Sequence, residues 1–556
     1  MGTWQPLSNP PNFGASTMLL LTDGTVMCQE SGGNNWWRLT PDSNGDYVNG
    51  TWSPLAPMKN TRLYYASAVL RDGRVFVAGG EYSDGGGELN AAEIFEPLLN
   101  HWTSIPAPQG WSSIGDAPCC VLPDGRLLLG SIDDSATAIY DPDLGTWTPG
   151  PNKEDSSSEE TWTLLPDETV LTVECRNHPN AEKFVAPANT WVSAGPTPVD
   201  LVQASSIEIG PAILLPGGRV FAIGATGRTA IYTPPNVANQ PGTWATGPDF
   251  PPDANGNLME AKDAPACLLP NGNVLCVAGP AGEGGDFPSP TKFFEFDGVA
   301  LNPVPDPTNA GGPPFVGRML LLPSGQVLFA AGGPQIEVYT ASGGPDPAWR
   351  PQITSVPLVI RAGQTYSIQG RQLNGLSQAN SFGDDASMAT NYPLVKLTNA
   401  RGTVYCRTFD HSTMGVATGL STQSTYFKVP FGVRNGPAQL CVIANGISSE
   451  CVPVQVAHFR WHAGIDETMV NRLIGSLADG PLWVLTKNGP VPVDPWGPDI
   501  AAKAKQAWGS IIEGVRSLQK LGREIETGKV AVAAKKAAAV KISPSGKRRR
   551  KERAVA

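Results

Sequence analysis

Apolar residues in this chain come in short paired runs with a tight polar turn between them, and the pair recurs. MLLLTDGTVMCQE starts at Met18, SAVLRDGRVFVAGG at Ser67, CCVLPDGRLLLGS at Cys119 and WTLLPDETVLTVE at Trp162. AILLPGGRVFAIG follows from Ala212, ACLLPNGNVLCVAG from Ala266 and MLLLPSGQVLFAAGG from Met319, which makes seven copies. The leucine before each turn stands at 21, 70, 122, 165, 215, 269 and 322, so the spacing is 43–54 residues. A period of that size marks an architecture built by copying one supersecondary unit. The Asp-Gly, Asn-Gly and Ser-Gly pairs supply the positive φ that a tight hairpin needs. After each hairpin, a third run ends near an aromatic (EIFEP, TAIYDP, EKFVAP), and a fourth carries a tryptophan (GTWSPL, NHWTSIP, GTWTPG). Four strands per repeat predict a propeller blade, and seven repeats a seven-bladed ring.

The ring spans residues 1–349 and has to be closed. The seventh repeat runs from Ile336–Thr340 into GGPDPAWRPQITSVP without a Gly-Thr-Trp strand, whereas Gly2-Thr3-Trp4-Gln5-Pro6-Leu7 copies Gly50-Thr51-Trp52-Ser53-Pro54-Leu55. The N-terminal strand is therefore expected to complete the seventh blade, with Trp349 as the competing candidate; closure removes the open sheet edges. Beyond the ring, alternating runs over 350–456 predict an antiparallel, Ig-like β-sandwich. Residues 457–528 carry two helical patterns, DETMVNRLIGSLADG and an amphipathic stretch after Pro498. Residues 529–556 are low in complexity and basic, which predicts a disordered tail. The fold class is all-β with a short helical C-terminal extension.

Composition sharpens this picture in three ways. Charged residues are only 16% of the 556, while 62 Gly and 53 Pro make the chain turn-rich. The last 28 residues hold ten Lys/Arg against one Glu, a net of +9, so the other 528 carry −19 of the total −10. An acidic body with a basic tail results, and Lys547–Lys551 offer a contact for an acidic partner. The nine cysteines have no metal-ligand spacing and mostly lie in apolar strands, as buried thiols do; Cys441 and Cys451 could form a bridge, which a reducing compartment would forbid. No apolar run reaches the ~18 residues of a membrane span. MGTWQPLSNPPNFG has no basic n-region or apolar h-region, so the expectation is no Sec leader and a cytoplasmic or non-classically exported protein.

The repeats TRLYYASAVLRDGRVFVAGG and MLLLPSGQVLFAAGG, followed by Arg350-Pro351-Gln352-Ile353 opening the second domain, are of the kelch kind. Over residues 1–456 they resemble galactose oxidase and its bacterial relatives. The resemblance implies one copper ion, a tyrosine cross-linked to a cysteine, and a histidine ligand from the C-terminal domain. Tyr64 matches the radical tyrosine and His411, in Asp410-His411-Ser412-Thr413, the copper-binding histidine. The first repeat, PNFGASTMLLL, has no cysteine for the cross-link, and Phe315-Val316 replaces the family's Tyr-His pair. Copper-radical chemistry is therefore not expected.

The slot six residues before each turn leucine holds Ala15, Tyr64, Asp116, Glu159, Ile209, Asp263 and Val316, with Glu160 and Glu208 adjacent. That register predicts carboxylates converging at one mouth of the hub, with His411 dipping in; clustered like charges raise one another's pKa or recruit a cation. Hard oxygen donors favour Ca²⁺ or Mg²⁺ over copper. The bland alternative has these acids solvated, or paired with Arg62 and Arg318. No catalytic residue is assigned, and the candidate ligand-binding set is Tyr64, Asp116, Glu159, Glu208, Asp263 and His411. The expected function is non-catalytic binding or scaffolding of a protein or glycan through propeller-face loops. The alternatives are an enzyme acting on a carbohydrate or other polar substrate at a hub metal or acid cluster, and a copper radical oxidase.

Overall fold

The computed structural model describes residues 2–83, 86–382 and 388–457, and the backbone of a strand pair, Trp483–Thr486 with Gly489–Pro492. Residues 1–457 form one compact unit and 458–556 a second. The two helical patterns and the basic tail fall outside the described residues.

Seven sheets form the ring: six are four-stranded, and in the blade 6 sheet Met259–Glu260 and Asn380–Ser381 join the four blade strands. In blades 1 to 6 the innermost strands are Ala15–Leu20, Ala66–Val69, Cys119–Val121, Thr163–Leu164, Ala212–Leu214 and Ala266–Leu268; in blade 7 it is Arg318–Leu321. Their burial is continuous rather than alternating, because each is covered on both faces by its neighbours. Outer strands such as Thr146–Pro149 are mostly exposed. The hairpin leucines 21, 70, 122, 165, 215, 269 and 322 are all buried.

The N-terminal strand closes the ring. Thr3–Pro6 lies antiparallel to Ile336–Thr340, with Trp4 opposite Tyr339. The Trp4 ring packs 5.1 Å from Phe293 and 4.8 Å from Tyr339, centroid to centroid. Trp349 instead ends a short 3₁₀ turn, Pro347–Trp349, and its ring covers Gly272 of the blade 6 hairpin. The outer-strand tryptophans tie blade to blade. The indole N–H of Trp102 donates to Ala56 O (2.8 Å), Trp147 to Pro106 O (2.7 Å), Trp244 to Ala194 O (3.2 Å) and Trp4 to Pro305 O (2.7 Å). In each case the acceptor lies just past the outer strand of the preceding blade, so one side chain buries its ring and satisfies its only donor there.

Residues 352–457 form a nine-stranded β-domain in which Gly402–Phe409 is shared: its first half pairs with Leu394–Asn399 and its second with Gln423–Lys428. One pairing, Val359–Arg361 with Val452–Ala457, is parallel, unlike the all-antiparallel expectation. Ile360, Ile368, Val395, Phe427 and Val442 make its core. This domain sits on the hairpin-turn face of the propeller: Arg407 Nη2 donates to Asp72 O (2.6 Å) and Met414 N to Pro123 O (2.9 Å). From it a segment enters the channel. Asn380–Ser381 pairs with the innermost strand of blade 6, Leu164 N of blade 4 donates to Gln378 Oε1, and Leu321 N of blade 7 to Asn380 Oδ1. The hub is thus plugged, which the repeat pattern did not foreshadow. A small cavity beside the plug, about 20 Å³, is lined by Thr161, Thr163, Gln378 and Ser381, room for about one water.

Seven cysteines are buried free thiols and Cys441 is bridged to Cys451.

Candidate functional site

The slots before the innermost strands lie at the end of the ring away from the C-terminal domain. Three of them, Tyr64, Glu159 and Asp263, have left-handed backbone, with φ of 48°, 62° and 48°. Left-handed geometry costs a non-glycine residue about 1–2 kcal/mol, so a recurring positive φ reflects the way each chain turns from the mouth into its inner strand.

Glu159 of blade 4, Glu208 of blade 5 and Asp263 of blade 6 bring one carboxylate oxygen each within 4.8 Å of one another, and all three are half-buried. Backbone contacts set this convergence. Asp263 N donates to Ile209 O (3.1 Å), and Glu208 O accepts from Gln203 N (2.9 Å). Gly210 lets the strands close in, because a Cβ there would stand 2.6 Å from Ile223 O and 2.8 Å from Ala261 O. Glu159 Oε1 accepts from Ser158 Oγ (3.2 Å), and its carbonyl from the Cys175 thiol (3.0 Å). Burial, with Glu160, Glu159 and Glu208 nearby, pushes the Cys175 pKa well above its ordinary value, so this thiol is a neutral donor.

Behind the cluster lies a buried ion network. Lys153 Nζ sits 2.7 Å from both Glu160 Oε1 and Glu182 Oε1. Glu160 Oε2 also accepts from Trp162 Nε1 (3.1 Å) and Thr172 Oγ1 (3.0 Å). Burial raises the Glu160 pKa to about 7 against the opposing pull of Lys153. On blade 6, Lys262 Nζ gathers Gly284 O (2.9 Å) and Asp286 O (3.0 Å), fixing the loop beside Asp263.

The other candidates do not join the triad. Tyr64 stands beside Tyr82 (6.5 Å) and under the Arg318 guanidinium (5.7 Å). Asp116 is buried and acts on Tyr82, whose pKa is raised chiefly by Glu81. His411 is on the turn face, not at the mouth. Its Nδ1 is 2.8 Å from Thr425 Oγ1, its ring stacks on Tyr392, and its backbone N donates to Arg71 O. Burial, with Arg407 and Arg71 adding repulsion, lowers its pKa to about 3. The expectation that His411 dips into the hub fails because the intruding segment is 376–382, which ends with Phe382 stacked 3.8 Å from Arg318. The arginines considered as partners for the acids make these contacts. Arg62 pairs with Glu93 (3.0 Å), and Arg318 Nη1 donates to Phe315 O (2.7 Å) and Gly317 O (2.8 Å).

These residues do not fit a copper-radical cofactor. The converging donors are carboxylates alone, whereas tetragonal copper sites combine nitrogen with oxygen donors. The Tyr64 ring lies beside Tyr82 and Arg318, and the first repeat, PNFGASTMLLL, carries no cysteine for a thioether.

Fold and repeat define a kelch-type propeller, and residues 62–109 match the Kelch motif family. An 85-residue stretch is 38% identical to galactose oxidase from Gibberella zeae, a partial homologue; it makes up 15% of this chain and 12% of that enzyme. Among solved structures, a fungal alcohol oxidase in complex with copper aligns over 82% of this chain and 99% of its own, with 15% identity and a TM-score of 0.47. Virginiamycin B lyase from Staphylococcus aureus aligns over 61% of this chain and 100% of its own, with 12% identity and a TM-score of 0.42.

Proposed function

We propose that this chain is a non-catalytic binding propeller that holds a hard divalent cation, Ca²⁺ or Mg²⁺, between Glu159, Glu208 and Asp263, and beside it a polar ligand of glycan type. The observation that carries this is the approach of three carboxylates from three consecutive blades to within 4.8 Å. Such proximity is unfavourable unless protons or a cation neutralise it, and all-oxygen sites suit Ca²⁺ and Mg²⁺. Half-buried Tyr64, Phe287 and Phe315 at the same end of the ring add apolar faces to these polar groups, the mixture that ligand sites use. A second reading, turnover of a carbohydrate at the same cation, draws on the backbone strain at Tyr64 and Glu159, since strain concentrates at active sites.

The test is elemental analysis of the full chain purified without chelator, then calorimetric titration with Ca²⁺ and Mg²⁺. About one divalent ion per chain is expected, with affinity falling at least tenfold in Glu208→Gln/Asp263→Asn. Glycan-array binding lost with chelator supports the ligand class, and product formation from a bound glycan selects the second reading. No binding at millimolar Ca²⁺ or Mg²⁺, or one copper per chain with a radical absorption band, overturns the proposal.

A further inference from the structure

The plug in the channel is held from behind by one short hairpin. Strand Gly436–Ala444 turns through Asn445 and Gly446 into Ile447–Ser448 and returns as Val452–Ala457. Asn445, buried and with φ of 46°, anchors the plug with its whole amide. Its Oδ1 accepts from Leu376 N (2.8 Å) and Ser377 N (3.2 Å), and its Nδ2 donates to Ser377 O (2.9 Å). Next to it, Gly446 presses on the blade 7 hairpin so closely that a Cβ would stand 2.6 Å from Gly325 Cα. The hairpin tip is therefore wedged between plug and propeller. From Ser377 the plug continues to Gln378, Ala379, Asn380 and Ser381, which bond Leu164, Leu268, Leu321 and Ala212 of blades 4, 6, 7 and 5.

The base of this hairpin is tied by Cys441–Cys451. Leu440 pairs with Val452, so the two cysteines occupy the next facing position, with Cα atoms 4.4 Å apart, the spacing of a non-hydrogen-bonded antiparallel pair. Cys441 is buried, whereas Cys451 is exposed. A thiolate from solvent can thus reach one sulfur, and exposed disulfides are the labile, regulatory ones.

We infer that Cys441–Cys451 is a redox latch that sets how firmly the plug is seated in the hub. A small-molecule dithiol reduces it in two exchanges. One thiolate attacks Sγ of Cys451, forming a mixed disulfide and expelling the Cys441 thiolate, which takes a proton from solvent. The dithiol's second sulfur then attacks the mixed disulfide, releasing the Cys451 thiol and leaving the dithiol oxidised. Two electrons and two protons pass to the protein. The freed hairpin loses its covalent base, its tip holds Leu376 and Ser377 less tightly, and the plug unseats from blades 4 to 7.

The test is amide hydrogen exchange on the full chain, oxidised and then reduced with dithiothreitol, with thiols counted by alkylation and mass spectrometry. Seven free thiols are expected before reduction and the 441–451 bridge should open first. Exchange at Leu376, Ser377, Leu268 and Leu321 should rise at least tenfold, while Val75–Ala78 of blade 2 stays unchanged. Asn445→Ala with the bridge intact should raise exchange at the same amides, which assigns the coupling to that side chain and not to the loss of the bridge alone. Nine free thiols in air-purified protein, a bridge that survives dithiothreitol in the native state, or equal protection in both redox forms overturns the latch.

Discussion

Lys153 is the most exposed to test of the buried groups, because it faces two carboxylates and nothing in water. Its side chain and that of Glu160 are fully buried, and Glu182 is 2% exposed, with both Nζ–O distances 2.7 Å. Replacing it by Met keeps most of the volume and removes the cation, leaving two carboxylates in a low-dielectric pocket. Breaking a buried pair from one side costs about 3–5 kcal/mol. With roughly 2.1 cal/mol/K per residue over the unit Met1–Ala457, the unfolding entropy is about 1 kcal/mol/K, so the expected fall in Tm is about 3–5 °C. The deficit has a pH signature. The Glu160 carboxyl already has a pKa raised to about 7 in the folded chain, against 4.5 as its ordinary value. A raised folded pKa stabilises below the unfolded value, and that contribution fades as pH climbs through the folded one. Without Lys153 the folded pKa rises further, so Lys153→Met should be close to wild type at pH 4.5 and fall behind it between pH 5 and 8. Differential scanning calorimetry at several pH values measures this. A loss under 1 °C at pH 7.5, or one independent of pH, would refute the reasoning; Lys153→Met/Glu160→Gln should recover much of it.

Three further outcomes follow from the same structure. His411, held near pKa 3 against 6.5 in the unfolded chain, is a depressed group whose stabilising contribution is present above pH 6.5 and lost as pH falls towards 3. Its ring resonances should not titrate between pH 8 and 5, and His411→Gln should flatten the acid limb of the stability curve. Trp4→Ala removes three aromatic contacts and a 2.7 Å indole bond, and should cost about 3–5 kcal/mol by denaturant unfolding. Removing residues 1–7 should expose the Ile336–Thr340 edge and yield oligomers by size-exclusion chromatography.

The ring was legible in the sequence because its signals are local and repeated. Seven hairpin glycine or acidic turns, seven apolar pairs and the likeness of Gly2–Leu7 to Gly50–Leu55 each depend on neighbouring residues. The triad was half legible. A fixed offset from the turn leucine found Glu159 and Asp263, and adjacency found Glu208, but the same offset offered Asp116, which the ring places against a different set of groups. His411 was misplaced because similarity in the C-terminal domain carries no information on which loop crosses the propeller. The plug lies in LNGLSQANSFGDDASMATNYP, a long stretch without alternation; its length was the available signal, since long loops in compact domains are usually functional. Lys153 and Cys175 left no trace, because their partners are set by how the segment leading into blade 4 folds against that blade.

The closing strand orders events in time as well as in space. Thr3–Pro6 leaves the ribosome ahead of the other blade strands, and its partner, Ile336–Thr340, emerges on the order of 20–70 s later at about 5–20 residues per second. Through that interval the nascent chain holds this strand without its partner, with a growing open arc behind it. The ring can complete only when the seventh blade arrives, and Asn380–Ser381 is made only after that. Synthesis therefore delivers the cylinder before its stopper, so the channel is built open and is filled last.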